Sequence, residues 1–152
     1  MPKLILCRGI QASGKSTYSR QWVLKDPLKR VRFSNDDIRN MLGKYWVPSR
    51  EVLVLSMRDE FLNEALLNHY DIIIDNMNLN PNETEYYISR VKIFNNTQEI
   101  EENKYEIEYV DFRTPLEECI ARDAQREHPI GEEVIRNTYE KYKCPFYYGG
   151  RH

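Results

Sequence analysis

The sequence predicts an α/β fold, a largely parallel sheet of about four strands flanked by helices. Three observations predict it. Short apolar runs alternate with longer stretches of helical spacing along the whole chain. The run Tyr70-Asp-Ile-Ile-Ile-Asp75 is too apolar for a half-exposed strand and suits the centre of a parallel sheet covered on both faces. Polar residues, glycines or a carboxylate follow three of the strand candidates, at the strand ends where such sheets bind ligands.

The elements follow in order. Leu4-Ile5-Leu6-Cys7 is a strand that stops at a glycine-bearing loop, and Lys15 to Lys25 is a helix carrying Tyr18, Trp22 and Val23. Val31-Arg32-Phe33 is a second strand. Ser34-Asn35-Asp36-Asp37 are capping types, so a short helix is expected to start near Asp36. Glu51 to Asn68 repeats Val52, Leu55, Phe61, Leu62, Ala65 and Leu66 at helical spacing and is the longest helix. After the Tyr70 to Asp75 strand, Asn80-Pro81 opens a helix to about Phe94, with proline in its first turn. Asn95 to Asn103 is an acidic surface loop, Tyr105 to Phe112 a fourth strand, and Pro115 to Gln125 and Glu132 to Tyr142 the last helices.

Composition limits the function. With 152 residues, 41% hydrophobic and 30% charged, one globular domain over residues 1–152 is expected. A formal net charge of -2 disfavours a protein that coats duplex DNA, because that mode neutralises many phosphates; a local basic cleft is compatible with it. Cys7, Cys119 and Cys144 match neither a metal pair nor a disulfide framework, so a reducing cytosol is expected. No apolar run approaches the roughly 20 residues that cross a membrane, and the start lacks a signal-peptide layout.

Gly9-Ile-Gln-Ala-Ser13-Gly14-Lys15-Ser16 matches GxxxxGK[ST] between a strand and a helix, the context of a P-loop. Its backbone N–H groups and the helix start cradle phosphates. Lys15 is expected on β- and γ-phosphate oxygens and Ser16 on magnesium, with ATP as phosphate donor. Asp75 has the layout of a Walker B acid. It is expected to hold magnesium through water or to orient a neighbouring side chain, the bland reading being a strand-end cap. Asp36 and Asp37 follow the second strand, so at least one is expected at the mouth of the nucleotide site. A carboxylate there accepts a hydroxyl proton, and Arg39 nearby grips an acceptor phosphate. An N-cap aspartate and a solvated arginine are the competing reading.

With these residues in place the sequence resembles the 5′-kinase domain of phage-type polynucleotide kinases over nearly its whole length. The likeness rests on Gly9-x4-Gly14-Lys15-Ser16-Thr17, Asp36-Asp37-Ile38-Arg39, Asn78-Leu79-Asn80-Pro81, Arg122 with Arg126, and a Pro145-x-Tyr147 tail. The resemblance implies a P-loop kinase domain with a C-terminal lid that moves the γ-phosphate of ATP to the 5′-hydroxyl of DNA or RNA. It implies Asp36 as general base, Arg39 on the acceptor's 3′-phosphate, and Lys15 with Ser16 on ATP. Arg126 becomes the lid arginine on the ATP phosphates, with Arg122 assisting. The chain departs from the family where Asn76 takes the place of the aspartate two before Asn78, and in a shorter lid, Arg126-Glu-His-Pro-Ile-Gly. It carries no Asp-x-Asp phosphatase signature. The implied compartment is the cytoplasm, the host's if the gene is a phage one.

Tyr45 and Trp46 are candidates to stack an acceptor base, although with 11 tyrosines most aromatic residues must serve packing. His69 and His128 have no ligand partner at a telling spacing, and the acidic run Glu99 to Glu108 reads as a solvated face. The competing functions are transfer to a nucleoside, nucleotide or other small hydroxyl, and a binding module that transfers nothing.

Overall fold

The computed structural model describes residues 1–142; Cys144 and the Pro145-x-Tyr147 tail lie outside the described residues. Four strands, β1 (Lys3–Arg8), β2 (Arg30–Phe33), β3 (Asp71–Ile74) and β4 (Glu106–Asp111), form one sheet in the order β2-β3-β1-β4. All its pairings are parallel. Helices α1 (Lys15–Leu24), α2 (Asn35–Met41), α3 (Glu51–Leu67), α4 (Pro81–Asn96), α5 (Leu116–Ala124) and α6 (Glu132–Lys141) connect and follow the strands.

The order explains the apolar runs. β1 and β3 are central, and their register pairs Leu4 with Ile72, Ile5 with Ile73 and Leu6 with Ile74. Leu4, Leu6, Ile72 and Ile74 share one face and pack with Leu62, Leu66, Tyr87, Val91 and Phe94 of α3 and α4. Ile5, Cys7 and Ile73 take the opposite face beneath Trp22, Val23 and Phe112. A strand covered on both faces tolerates no polar alternation, and each such side chain contributes about 1.5–3 kcal/mol by burial. A third cluster, Ile10, Ala12, Cys119 and Ile135, fastens α5 and α6 to the loop after β1.

Boundaries differ from the sequence reading in two informative places. α4 runs past Phe94 to Asn96. There the Asn95 amide accepts from the Tyr105 N–H (2.8 Å) and donates to the Tyr105 carbonyl (3.0 Å). Within the acidic run, Tyr105 is buried rather than solvated, and its hydroxyl donates to the Tyr70 carbonyl at 2.6 Å. His69, with φ +57°, ends the turn after α3 and packs edge-on against Phe94. β4 is an edge strand, guarded by the ion pairs Lys3–Glu108 and Arg8–Asp111.

Candidate active site

Because all strands run the same way, the segments after β1, β2, β3 and β4 gather at one end of the sheet. The loop after β1 turns through Ala12 (φ +61°) and Gly14 (φ +105°), and Gly14 caps α1. Gly9 is required by close approach: a Cβ there would lie 2.5 Å from Ser13 Oγ and 3.0 Å from Phe112 Cβ. Two contacts hold the loop, the Gly9 N–H to the Met77 carbonyl (3.1 Å) and Thr114 Oγ1 to the Ser13 carbonyl (2.8 Å).

Lys15 is buried and curls over this loop, its ammonium donating to the carbonyls of Gly9 (2.8 Å) and Ile10 (2.7 Å). Burial lowers its pKa to about 8, with the Asp75 charge opposing. Its direct hydrogen-bond partners are neutral carbonyls, and phosphate oxygens are stronger acceptors for an ammonium. Ser16 and Thr17 stand exposed in the first turn of α1 on the same cavity.

Asp75 follows the last residue of β3 and is buried. It accepts from Ser19 Oγ (3.0 Å) and from Arg32 Nη2 (2.5 Å) and Nε (3.0 Å). Arg32 also pairs with Asp37. Asp75 is thus hydrogen-bonded to two neighbouring side chains, Ser19 and Arg32. Its carboxylate also lines the cavity that Ser16 lines.

α2 is capped by Ser34, whose hydroxyl accepts from the Asp37 N–H at 3.3 Å. Asp36 is therefore not the cap, and its side chain turns to the cleft. Asp36 Oδ1 accepts from Arg39 Nη1 (2.7 Å) and from the Tyr45 hydroxyl (2.8 Å). Arg39 in turn meets Glu51, the first residue of α3. The Glu51 hydrogen bond, together with Asp36, holds the Arg39 pKa above its ordinary value despite burial, and Arg39 lowers that of Glu51. Tyr45, whose phenol burial and the Asp36 charge push to about 12, is half-exposed at the mouth of the cavity rather than packed in the core.

Arg122 stands in the last turn of α5 and Arg126 just beyond its end. A Cβ on Gly14 would lie 3.6 Å from Arg122 Nη1, which places that guanidinium over the phosphate loop. Arg126 stands at the start of the α5–α6 connection. Buried Asp123 folds that connection back, accepting from the N–H groups of Ile130 (3.0 Å) and Gly131 (2.9 Å) and from Arg126 Nη1 (3.5 Å).

These residues surround two adjoining cavities. The larger, about 300 Å³, is lined by Ser13, Gly14, Lys15, Ser16, Thr17, Asp36, Asp75, Arg122 and Arg126. The smaller, about 160 Å³, is lined by Asp36, Arg39, Tyr45 and Glu83. Asp36, Gln11, Asn76, Met77 and Ile130 belong to both, so Asp36 stands on the wall between them.

The roles of Arg32 and Ser19 escaped the sequence reading, while Asn76 and Asn78, which it named, take structural roles it did not give them. Arg32 and Ser19 show their role only once β2 lies beside β3. Asn78, with φ +52°, donates from its amide to the carbonyls of Cys7 (2.7 Å) and Ile74 (3.2 Å), tying the ends of β1 and β3 together. Asn76 accepts from the Asn35 N–H (2.9 Å), fixing the start of α2. The Asn-x-Asn spacing was the available signal. Among the described residues no cluster of three or more His, Cys, Asp or Glu is placed to hold a metal. A magnesium site here would draw on Ser16 Oγ, water and nucleotide phosphates, a donor set that ion accepts.

A family model described as an AAA domain matches residues 4–146. The L-seryl-tRNA(Sec) kinase of Methanococcus maripaludis is 29% identical over 145 residues, 93% of this chain and 53% of that protein. A chain in the structure of the Pnkp1/Rnl/Hen1 RNA repair complex superposes with a TM-score of 0.72 at 24% identity, covering 95% of this chain and 47% of its own length. A second structure of the Pnkp1/Rnl/Hen1 complex gives 0.65 at 25% identity over 84% of this chain and 39% of its own. The chain thus spans about half the length of the curated relative. These neighbours support the P-loop kinase fold and the resemblance to a polynucleotide kinase's kinase domain. No helix among the described residues is long and apolar enough to cross a membrane.

Proposed function

Since the chain belongs to the AAA domain family, we propose that it is an ATP-dependent kinase that transfers the γ-phosphate to the 5′-hydroxyl end of DNA or RNA. The observation that carries this reading is the place of Asp36 on the wall between the P-loop cavity and the cavity of Arg39 and Tyr45. A phosphoryl transfer needs donor and acceptor pockets that meet at a proton acceptor.

Lys15 leaves the Gly9 and Ile10 carbonyls for the β- and γ-phosphates, which are better acceptors for an ammonium. Gly9, Ser13, Gly14, Ser16 and Thr17 shape the cradle, and Arg122 and Arg126 face it from the α5 side. Closure of the α5–α6 connection as a lid brings Arg126 onto the moving phosphoryl group, a cation supplied in cis. Ser16, with Asp75 in the same cavity, would hold a magnesium ion brought in with the nucleotide, which would supply neutralisation of phosphate charge. Asp36 Oδ1 is held by Arg39 and Tyr45, which leaves Oδ2 to take the proton of the 5′-hydroxyl. Arg39 is the cation in the acceptor cavity and serves the acceptor's 3′-phosphate.

The test is incubation with magnesium and γ-labelled ATP over 5′-hydroxyl DNA and RNA oligonucleotides, seryl-tRNA, nucleosides and small alcohols. Label on the oligonucleotides is expected, and Asp36→Ala abolishes it while ATP binding persists. The archaeal relative favours a second reading, a hydroxyl presented on an aminoacylated tRNA. Label on seryl-tRNA but on no oligonucleotide installs that reading, and label on nucleosides alone installs a small-molecule kinase.

A further inference from the structure

We propose that the segment from Arg39 to Arg50 is a docking strip for single-stranded nucleic acid, with Tyr45 and Trp46 as the platform on which the bases behind the reacting 5′ end stack. The proposal rests on the reading that a 5′ end enters the cavity at Asp36, and it names what grips the rest of the strand.

Three observations point the same way. First, Tyr45 and Trp46 are adjacent aromatic residues with relative exposures of 42% and 53%. Tyr45 lines the acceptor cavity while Trp46 stands outside that lining. Second, both rings are oriented rather than loose. The Arg39 guanidinium lies 5.9 Å from the Tyr45 ring centre and 5.6 Å from that of Trp46, and the Tyr45 hydroxyl is fastened to Asp36 at 2.8 Å. The side chains that orient the rings are therefore those that frame the acceptor hydroxyl. Third, residues 40–50 carry Lys44 and Arg50 and no Asp or Glu, in a chain whose net charge is -2, while Arg39 is paired with Asp36 and Glu51. Lys44 is exposed, and Arg50 spends a donor on the Leu42 carbonyl at 2.6 Å, not on a carboxylate.

Exposed aromatic faces beside cations are the chemistry that holds unpaired nucleic acid: every base offers a π-face and every linkage a phosphate. The cavity of about 160 Å³ is too small for a run of nucleotides, so those behind the reacting end must lie outside it, and Tyr45 connects its lining to this strip. A duplex end keeps its bases stacked on one another and cannot offer them to Trp46 without fraying. The occupant is accordingly a single strand.

Trp22 and Trp46 are the two tryptophans. Trp22 packs under Arg30 and away from both cavities, so Trp22→Phe leaves Trp46 as the reporter. Titration of that protein with a short 5′-hydroxyl single strand is expected to quench Trp46 fluorescence, more weakly as salt rises. A free nucleoside or a blunt duplex of the same sequence is expected to leave the emission unchanged. Trp46→Ala is expected to raise the KM for the oligonucleotide about 5- to 100-fold with the KM for ATP unchanged, and Trp46→Phe to recover most of the loss. Equal quenching by duplex, or an unchanged oligonucleotide KM in Trp46→Ala, overturns the platform while transfer to oligonucleotides keeps the kinase reading. Quenching by a single strand that receives no phosphate keeps the platform and overturns the 5′-kinase reading.

Discussion

Arg39 and Glu51 meet as a bidentate pair, Nε to Oε2 at 3.1 Å and Nη2 to Oε1 at 2.6 Å. The pair joins the end of α2 to the first residue of α3, and the remaining Arg39 nitrogen, Nη1, holds Asp36. Glu51 therefore orients Asp36, the proposed base, through the arginine. Glu51→Gln is expected to lower kcat about 10-fold, with the KM for ATP unchanged and about 1 kcal/mol of stability lost. Steady-state kinetics with both substrates and a urea melt measure this, and Glu51→Asp restoring part of kcat separates positioning from folding.

Lys15 carries a cost in the empty protein, because an ammonium is buried against neutral carbonyls. Its folded pKa, about 8, lies below the 10.5 of an unfolded lysine, so between these values the unfolded chain binds more protons. The penalty is complete below pH 8 and fades as pH rises toward 10.5. Lys15→Met is expected to abolish transfer, and to melt no lower than the unmodified protein at pH 7. The difference between the two proteins in urea melts should shrink between pH 8 and 10.

Asp123 satisfies two backbone N–H groups in the connection that carries Arg126. Asp123→Ala strands both donors and is expected to cost about 2–3 kcal/mol. It is also expected to raise the KM for ATP several-fold. Arg122→Ala removes a neighbouring cation without touching the connection, so its melting temperature should stay close to that of the parent.

Cys7 and Cys119 are fully buried, and burial pushes the Cys7 thiol up to about 12 and that of Cys119 above its ordinary value. Thiolates are the reactive form. Iodoacetamide at pH 8 is expected to leave both untouched in the native protein and to label both in urea, as peptide mass mapping will show.

The parts of this molecule that were legible beforehand are those in which neighbours along the chain share a task. Ile72-Ile73-Ile74 announced a central strand because both faces of β3 are covered, and Gly9 to Ser16 announced the cradle because its chemistry fits in one turn. Asp36 was readable as a candidate, yet whether it capped α2 depended on Ser34, a single neighbouring hydroxyl. Arg32 and Asp75 are separated by 43 positions and meet because β2 lies next to β3, an adjacency that no local periodicity encodes. Asn78 looked like part of a motif, and its work is to lash two strand ends together. Tyr45 looked like packing because exposure is a property of the folded surface.

The strand order places the two sides of the site on different supports. The nucleotide side grows from β1, locked between two neighbours, where a change of one atom is felt, as the space at Gly9 attests. The strip at residues 39–50 runs from the last turn of α2 to the residue before α3, outside the strands that Asn78 ties together. Substitutions in that strip are therefore expected to alter acceptor binding with less effect on the nucleotide side. A library randomised over residues 40–50 is the place to look for kinases with new acceptors.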